Sequence, residues 1–284
     1  YRRQLYQTGV EESERTIKRF ILWLNKKGFK NRWIGELNEK LAKAYFEYLL
    51  DERGNSAKTH NNTIGILKAF YNRCLHENWV EKPNPFLKIE KLPEEYGTKN
   101  LPFTKYQIDL MKEYMEEHDP YMWFICSFIY YTMMRPSEIR RIKVMDIDMD
   151  RRRIIIHGKN AKGKKRDLLP IVPALYAQIE KMNLEFCNPM DYLFGCEGKP
   201  SEEKMGENYM GKHFKKVKDH FNLHRDHTLY GFKHTSVCNW YKVEKDIVKI
   251  SKMCRHCDIK MTARYLKSLG LLNDENEVAL LPEI

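Results

Sequence analysis

The stretch RRIIIHGKNAKGKKRDLLPI, residues 152–171, carries the only clear strand signals in the chain. Ile154, Ile155 and Ile156 form one β-branched run, and Leu168, Leu169 and Ile171 form a second. The Gly- and Lys-rich segment between them reads as the turn of a β-hairpin. On both sides of it the apolar residues recur with the period of a helix, so the expected fold is mostly α with one small antiparallel β-sheet.

Upstream of the hairpin, Pro136 opens a short helix. A more apolar helix starts at Pro120 and ends near Met134, and Thr104 caps another that reaches about Glu117. Downstream, helices are expected at about Ala174–Met182, Glu207–Phe221, Thr228–Val243, Lys245–Cys254 and Ile259–Ser268. The first 92 residues read as a separate helical bundle. Ile17, Phe20, Ile21 and Leu24 line a helix from Glu11 to Lys27 that Gly28 stops. Leu41, Tyr45, Tyr48 and Leu49 line a second, from about Leu37 to Glu52, which Gly54 ends. Ser56 caps a third, whose buried face is Ile64, Leu67, Phe70, Tyr71, Cys74 and Leu75, with Lys58, Asn61, Asn62 and Lys68 left outside. Such a polar face suits contact with phosphates, although an ordinary solvated helix face explains each residue singly.

Between Pro93 and Asn100 the chain is rich in Pro, Glu, Gly and Lys without apolar periodicity, as a linker is. The expected organisation is a helical domain over 1–92, a linker over 93–103, a second domain over 104–270 and a tail over 271–284. The sequence opens on Tyr1 and not on Met, which leads us to expect that it starts inside a longer chain.

Composition narrows the class of partner. The 284 residues are 42% hydrophobic, enough to bury a core in each of two domains, and the formal net charge of +11 favours a polyanion. Nucleic acid leads, because the longest apolar stretch, Tyr121 to Met134, is too short and interrupted to span a bilayer. No secretory signal is evident. The seven cysteines are odd in number and scattered through apolar helical patterns, as expected of reduced packing thiols in a cytosolic protein. Cys254 and Cys257 form a single Cys-x-x-Cys pair with no second pair nearby, which falls short of a structural zinc site. No metal and no cofactor are expected.

Four segments bear on chemistry: Thr132–Ile139 around Arg135 and Glu138, the Lys159–Arg166 turn, Tyr230-Gly-Phe-Lys233-His234, and Arg255-His256 followed nine residues later by Tyr265. Each has a bland explanation alone. In this order and spacing, over residues 10 to 268, they resemble the boxes of the tyrosine recombinase and phage integrase family. By that resemblance Arg135 binds the scissile phosphate and Glu138 supports the site. Lys162, eight residues before Pro170, is similar to the family's catalytic lysine, with Lys159 as the alternative. His256 resembles the third-box His, and Tyr265 the nucleophile. The family's second box, His-x-x-Arg-His, is altered: Tyr230 stands where a His handles protons, and Lys233 where a second Arg holds phosphate. A Lys cannot make the two-pronged contact of a guanidinium, so the resemblance implies weaker clamping or help from a neighbour such as His227. His234 keeps the last position of the box and joins the candidate DNA contacts.

The Ser56 helix and the Asn84-Pro85-Phe86 exit resemble the family's core-binding domain. The resemblance implies a site-specific recombinase that closes on DNA as a C-shaped clamp and breaks and rejoins strands through a 3′-phosphotyrosine, without metal or ATP. It also implies double-stranded DNA and further copies of the chain in a synaptic tetramer as partners. An accessory DNA-bending protein is an additional candidate. The tail, apolar from Val278 to Leu281, is expected to dock on a neighbouring protomer. Two other readings share the fold: a DNA-binding regulator without catalysis, and a type IB topoisomerase.

Overall fold

The structure, a computed structural model, describes residues 7–30, 33–94, 100–158, 166–256 and 258–271. The chain divides into two compact units, Tyr1–Tyr96 and Gly97–Ile284.

In the first unit three α-helices are described, α1 (Gln7–Lys26), α2 (Glu39–Asp51) and α3 (Ala57–His76). Their starts follow local chemistry: the Asn38 side chain accepts from Leu41 N, and Ser56 accepts from Thr59 N. Gly28 ends α1 at a φ of +87°, a backbone state open to glycine at little cost. The core is strongly aromatic. Phe20 meets Tyr45 at 4.7 Å, and the fully buried Phe86 is inserted edge-on against Phe20, Phe46 and Tyr71.

The exit segment is held to α3 by two asparagines. Asn84 accepts from Phe86 N, and its amide donates to Lys68 O and Asn72 Oδ1. Asn61 accepts from Leu92 N at 2.9 Å and donates to Leu92 O and to Glu94. This corrects the expectation for the polar face of α3. Lys58 and Asn62 are exposed, but Asn61 is buried and serves the exit segment, and half-buried Lys68 donates to Leu87 O.

The second unit contains α4 (Lys105–His118), α5 (Pro120–Thr132), the single turn α6 (Pro136–Ile139), strands β1 (Ile147–Asp148), β2 (Arg153–Ile156) and β3 (Asp167–Pro170), then α7 (Pro173–Glu180), α8 (Tyr209–His220), α9 (Gly231–Glu244), α10 (Ile247–Met253) and α11 (Ile259–Ser268). α5 is apolar on all sides and is accordingly central, packed by α4, α7, α8 and α9. The strands form one antiparallel sheet in the order β1-β2-β3, with Ile154 opposite Leu169 and Ile147 opposite Ile154. The expected hairpin is β2 and β3, and β1 adds a third strand. No helix among the described residues is long and apolar enough to cross a membrane.

Replacing Asn61 with Ala strands both backbone groups of Leu92. The expected loss is about 1–3 kcal/mol of unfolding free energy, measured as a lower urea midpoint for the full chain. An unchanged midpoint would show that the exit segment is held by its apolar contacts alone.

Candidate active site

The site starts at the C-terminus of α5. Met133 takes a left-handed conformation, φ +52°, that ends the helix, and Thr132 Oγ1 accepts from Met134 N to tighten the corner. Arg135 follows in extended backbone as the N-cap of α6, with Pro136 supplying the first helical residue. Glu138, three residues on, folds its carboxylate back. Oε2 accepts from Arg135 N at 3.0 Å, and Oε1 accepts from Arg135 Nη1 at 3.3 Å. Glu138 is 3% exposed, so it can remain ionised only because donors surround it.

A third donor comes from far along the chain. Arg255 Nη2 donates to Glu138 Oε2 at 2.6 Å, joining the α10–α11 turn to α6. Arg255 itself has φ +54°, an uncommon state for a residue with a Cβ. Next to it, His256 Nδ1 pairs with Thr262 Oγ1 at 2.8 Å, which leaves Nε2 for a ligand. Burial, and then the positive charges of Lys233, Arg135 and Arg255, lower the His256 pKa to about 4. The imidazole is therefore neutral at pH 7.

α9 supplies the floor. Lys233 is 2% exposed, and its Nζ has no hydrogen-bond partner among the described residues. It lies 5.8 Å from the centre of the Tyr230 ring. Burial lowers its pKa to about 8, with Arg135 and Arg255 adding to the effect and Cys254 and Glu138 opposing it. The Tyr230 hydroxyl is hydrogen-bonded to Arg135, and burial raises its pKa, so it stays protonated. Tyr265, on α11, sets its ring at 90° to that of His234 with centroids 4.5 Å apart. Burial, and then Cys238, Cys254 and Tyr230, push the Tyr265 phenol well above its ordinary range.

Arg135, Glu138, Tyr230, Lys233, Arg255 and His256 thus share one electrostatic neighbourhood, with Tyr230 and Cys254 also acting on Tyr265. Residues 101–270 match the sequence pattern of the Phage integrase family, and residues 9–81 match the phage integrase N-terminal SAM-like domain. The chain belongs to the phage integrase family. It is 26% identical over 275 residues to the tyrosine recombinase XerC of Bacillus licheniformis, a match covering 92% of this chain and 83% of that one. It is 29% identical over 171 residues to XerC of Bacillus subtilis, covering 58% of this chain and 50% of that relative. Among solved structures it is similar in fold to the Tn1549 transposon integrase in complex with a circular intermediate DNA, with TM-score 0.68, 18% identity, and 92% and 93% of the two chains covered. It is also similar to a lambda integrase tetramer bound to a Holliday junction, with TM-score 0.71, 13% identity, and 91% and 71% covered.

Within this tyrosine recombinase two sequence expectations need correction. His234 is no surface contact for DNA. It is 7% exposed and sandwiched between Tyr230 and Tyr265, and burial, then Lys233, lower its pKa to about 3. His227 offers no help to the second box, because its ring stacks on Phe103 at 5.1 Å and its charged neighbours are His224, Lys218 and Asp226. Lys162 and Lys159 lie outside the described residues, as do Cys257 and the 272–284 tail. Arg255 was missed. Its signal in the sequence is a guanidinium immediately before the third-box His256.

An unpartnered buried ammonium is costly in the absence of DNA. Lys233 has a folded pKa near 8 against 10.5, so between these values the unfolded chain holds the extra proton and this group makes stability rise with pH. Below pH 8 the full penalty, roughly 3 kcal/mol, applies. Lys233→Met is accordingly expected to raise the melting temperature at pH 7 by an amount that shrinks as pH approaches 10.5. A lower melting temperature at pH 7 would contradict the assignment.

Proposed function

We propose that this chain is a site-specific DNA recombinase in which Tyr265 attacks a backbone phosphorus. The new Tyr265 Oη–P bond replaces the P–O5′ bond and gives a 3′-phosphotyrosine, the phenol proton being lost to solvent while the departing O5′ gains one. A second strand's 5′-hydroxyl then reverses the step, so no nucleotide is consumed. The observation that supports this reading is the gathering of Arg135, Lys233, Arg255 and the neutral His256 imidazole from three distant segments into one electrostatic neighbourhood, with Tyr230 and Cys254 acting both on that neighbourhood and on Tyr265. Arg135 and His256 Nε2 bind the non-bridging oxygens, and Lys233 adds a point charge as negative charge builds. Lys162, or Lys159, in the sequence between β2 and β3, protonates the departing 5′-oxygen.

The states of the groups fit this task. With the phenol held protonated in the absence of DNA, Tyr265 is kept from indiscriminate attack. The Tyr230 hydroxyl orders the Arg135 guanidinium where the resemblance places a proton-handling His. Exposed Lys58 and Asn62 on α3 are candidates for phosphate contact in the first unit. Further copies of the chain on a synapsed pair of sites, and a cytoplasmic, nucleoid-associated location, complete the proposal.

A suicide DNA substrate tests it. The parent chain is expected to leave a covalent protein–DNA band on a denaturing gel, and Tyr265→Phe to leave none while binding DNA normally. Arg135→Ala is expected to slow the band's formation about 100-fold or more. Binding should weaken steeply with salt as phosphate contacts release counterions. No covalent band from the parent chain on its own site would favour a regulator, and relaxation of supercoiled plasmid lacking such a site would favour a topoisomerase.

A further inference from the structure

Glu138 is the hub of the site, and it holds two guanidiniums, not one. Arg135 bonds Oε1 and Arg255 bonds Oε2. Lys233, Arg135 and Arg255 gather around this single carboxylate, so among the described residues the pocket has an excess of positive charge once Lys233 is protonated. A buried excess of that sign calls for an anion. A phosphodiester brings one negative charge, and its pentacoordinate transition state brings a second.

Lys233 and Arg255 are not equivalent in meeting that anion. The Lys233 ammonium is a point charge against the Tyr230 ring. Glu138 occupies only one N–H group of Arg255, at Nη2, whereas Nε is buried with no hydrogen-bond partner among the described residues. The side chain is 9% exposed, so it is fixed by its surroundings. Its backbone is in the left-handed region at φ +54°, where a residue with a Cβ persists only if other contacts over-determine it. His256, the next residue, faces the same charges.

We propose that Arg255 contacts a non-bridging oxygen of the scissile phosphate and supplies the second guanidinium of the site, doing what Lys233 in the altered second box cannot. The proposal rests on the recombinase reading. Arg135 and Arg255 act as a pair set by one carboxylate, and Lys233 lies behind them as an auxiliary charge. The clamp has thus moved from α9 to the α10–α11 turn, ten residues before the nucleophile.

The test compares a suicide substrate carrying an ordinary scissile phosphate with one carrying a methylphosphonate there, in which one charged non-bridging oxygen is replaced by a neutral methyl. Arg255→Ala should form covalent complex about 100-fold more slowly than the parent chain on the phosphate, and at a similar rate to it on the methylphosphonate. Arg255→Lys, which keeps the charge beside Glu138 and guards against misfolding, should recover part of the rate on the phosphate. Full activity of Arg255→Ala on the phosphate would overturn the proposal. So would equal loss by both variants on the two substrates, since a merely structural arginine is blind to that oxygen. A parent chain that forms no covalent complex with either substrate defeats the recombinase reading itself, and this inference with it.

Discussion

The Glu138 carboxylate is the constraint on which the rest of the site depends. It is buried and yet accepts from the Arg135 backbone, the Arg135 guanidinium and the Arg255 guanidinium. Two unit charges 4 Å apart interact by about 4 kcal/mol at an effective dielectric of 20. Without an anion between them, Arg135, Arg255 and Lys233 would repel one another by amounts of that order. The carboxylate can occupy this place because Met133 ends α5 in a left-handed turn and Pro136 starts α6 at once. The third residue of that short turn is thereby aimed back at its own N-cap.

From that anchor the protonation states follow. Arginines stay charged under all ordinary conditions, so the permanent field in the pocket is positive. Burial first, and then the charges of Lys233, Arg135 and Arg255, keep His256 neutral; burial, and then Lys233, keep His234 neutral. Burial holds the phenols of Tyr230 and Tyr265 in their neutral form. Lys233, poised near 8, is a buried group on α9 whose charge can respond to what enters. An arriving phosphate favours its ammonium form, which couples binding to completion of the positive cluster. The resting protein is less stable for it, a frequent consequence of a preorganised electrostatic site.

Much of this was legible from local signals. The caps at Ser56, Thr104, Asp119 with Pro120, and Asp258 mark helix starts because each side chain bonds a backbone N–H within three residues. β2 and β3 are legible because a β-branched run needs no distant partner to declare itself. β1 is not, since a two-residue strand exists only through pairing with Arg153 and Ile154. Asn61 and His234 misled for one reason: a polar side chain at a helical position reads as outward, and nothing local shows that a buried carbonyl or an aromatic ring waits for it. α9 gave no warning, because Lys233, His234, Thr235 and Ser236 read locally as polar although Gly231 to Cys238 is buried without interruption. The position of Arg255 depends on a left-handed backbone and a carboxylate 117 residues away, and neither is written in its neighbours.

His234 shows how a polar residue at a motif position can matter without carrying charge. With its pKa near 3 it carries no charge at neutral pH, so it cannot neutralise phosphate. Its ring instead stands between two phenols, edge to face with Tyr265 at 4.5 Å and with Tyr230 at 5.2 Å. Edge-to-face pairs favour a defined angle as well as a distance, each by roughly 0.5–1.5 kcal/mol beyond burial. Tyr265 lies on the amphipathic α11, anchored to the core through buried Thr262 and Leu266 on the same face, with Thr262 also bonded to His256. One helix therefore sets Tyr265, the proposed nucleophile, in register with the His256 imidazole through Thr262, and His234 limits the swing of the Tyr265 ring. An aliphatic side chain of similar size at 234 would fill the same volume without that angular preference. The phenol would then lose its aim, although every cation in the pocket would stay where it is.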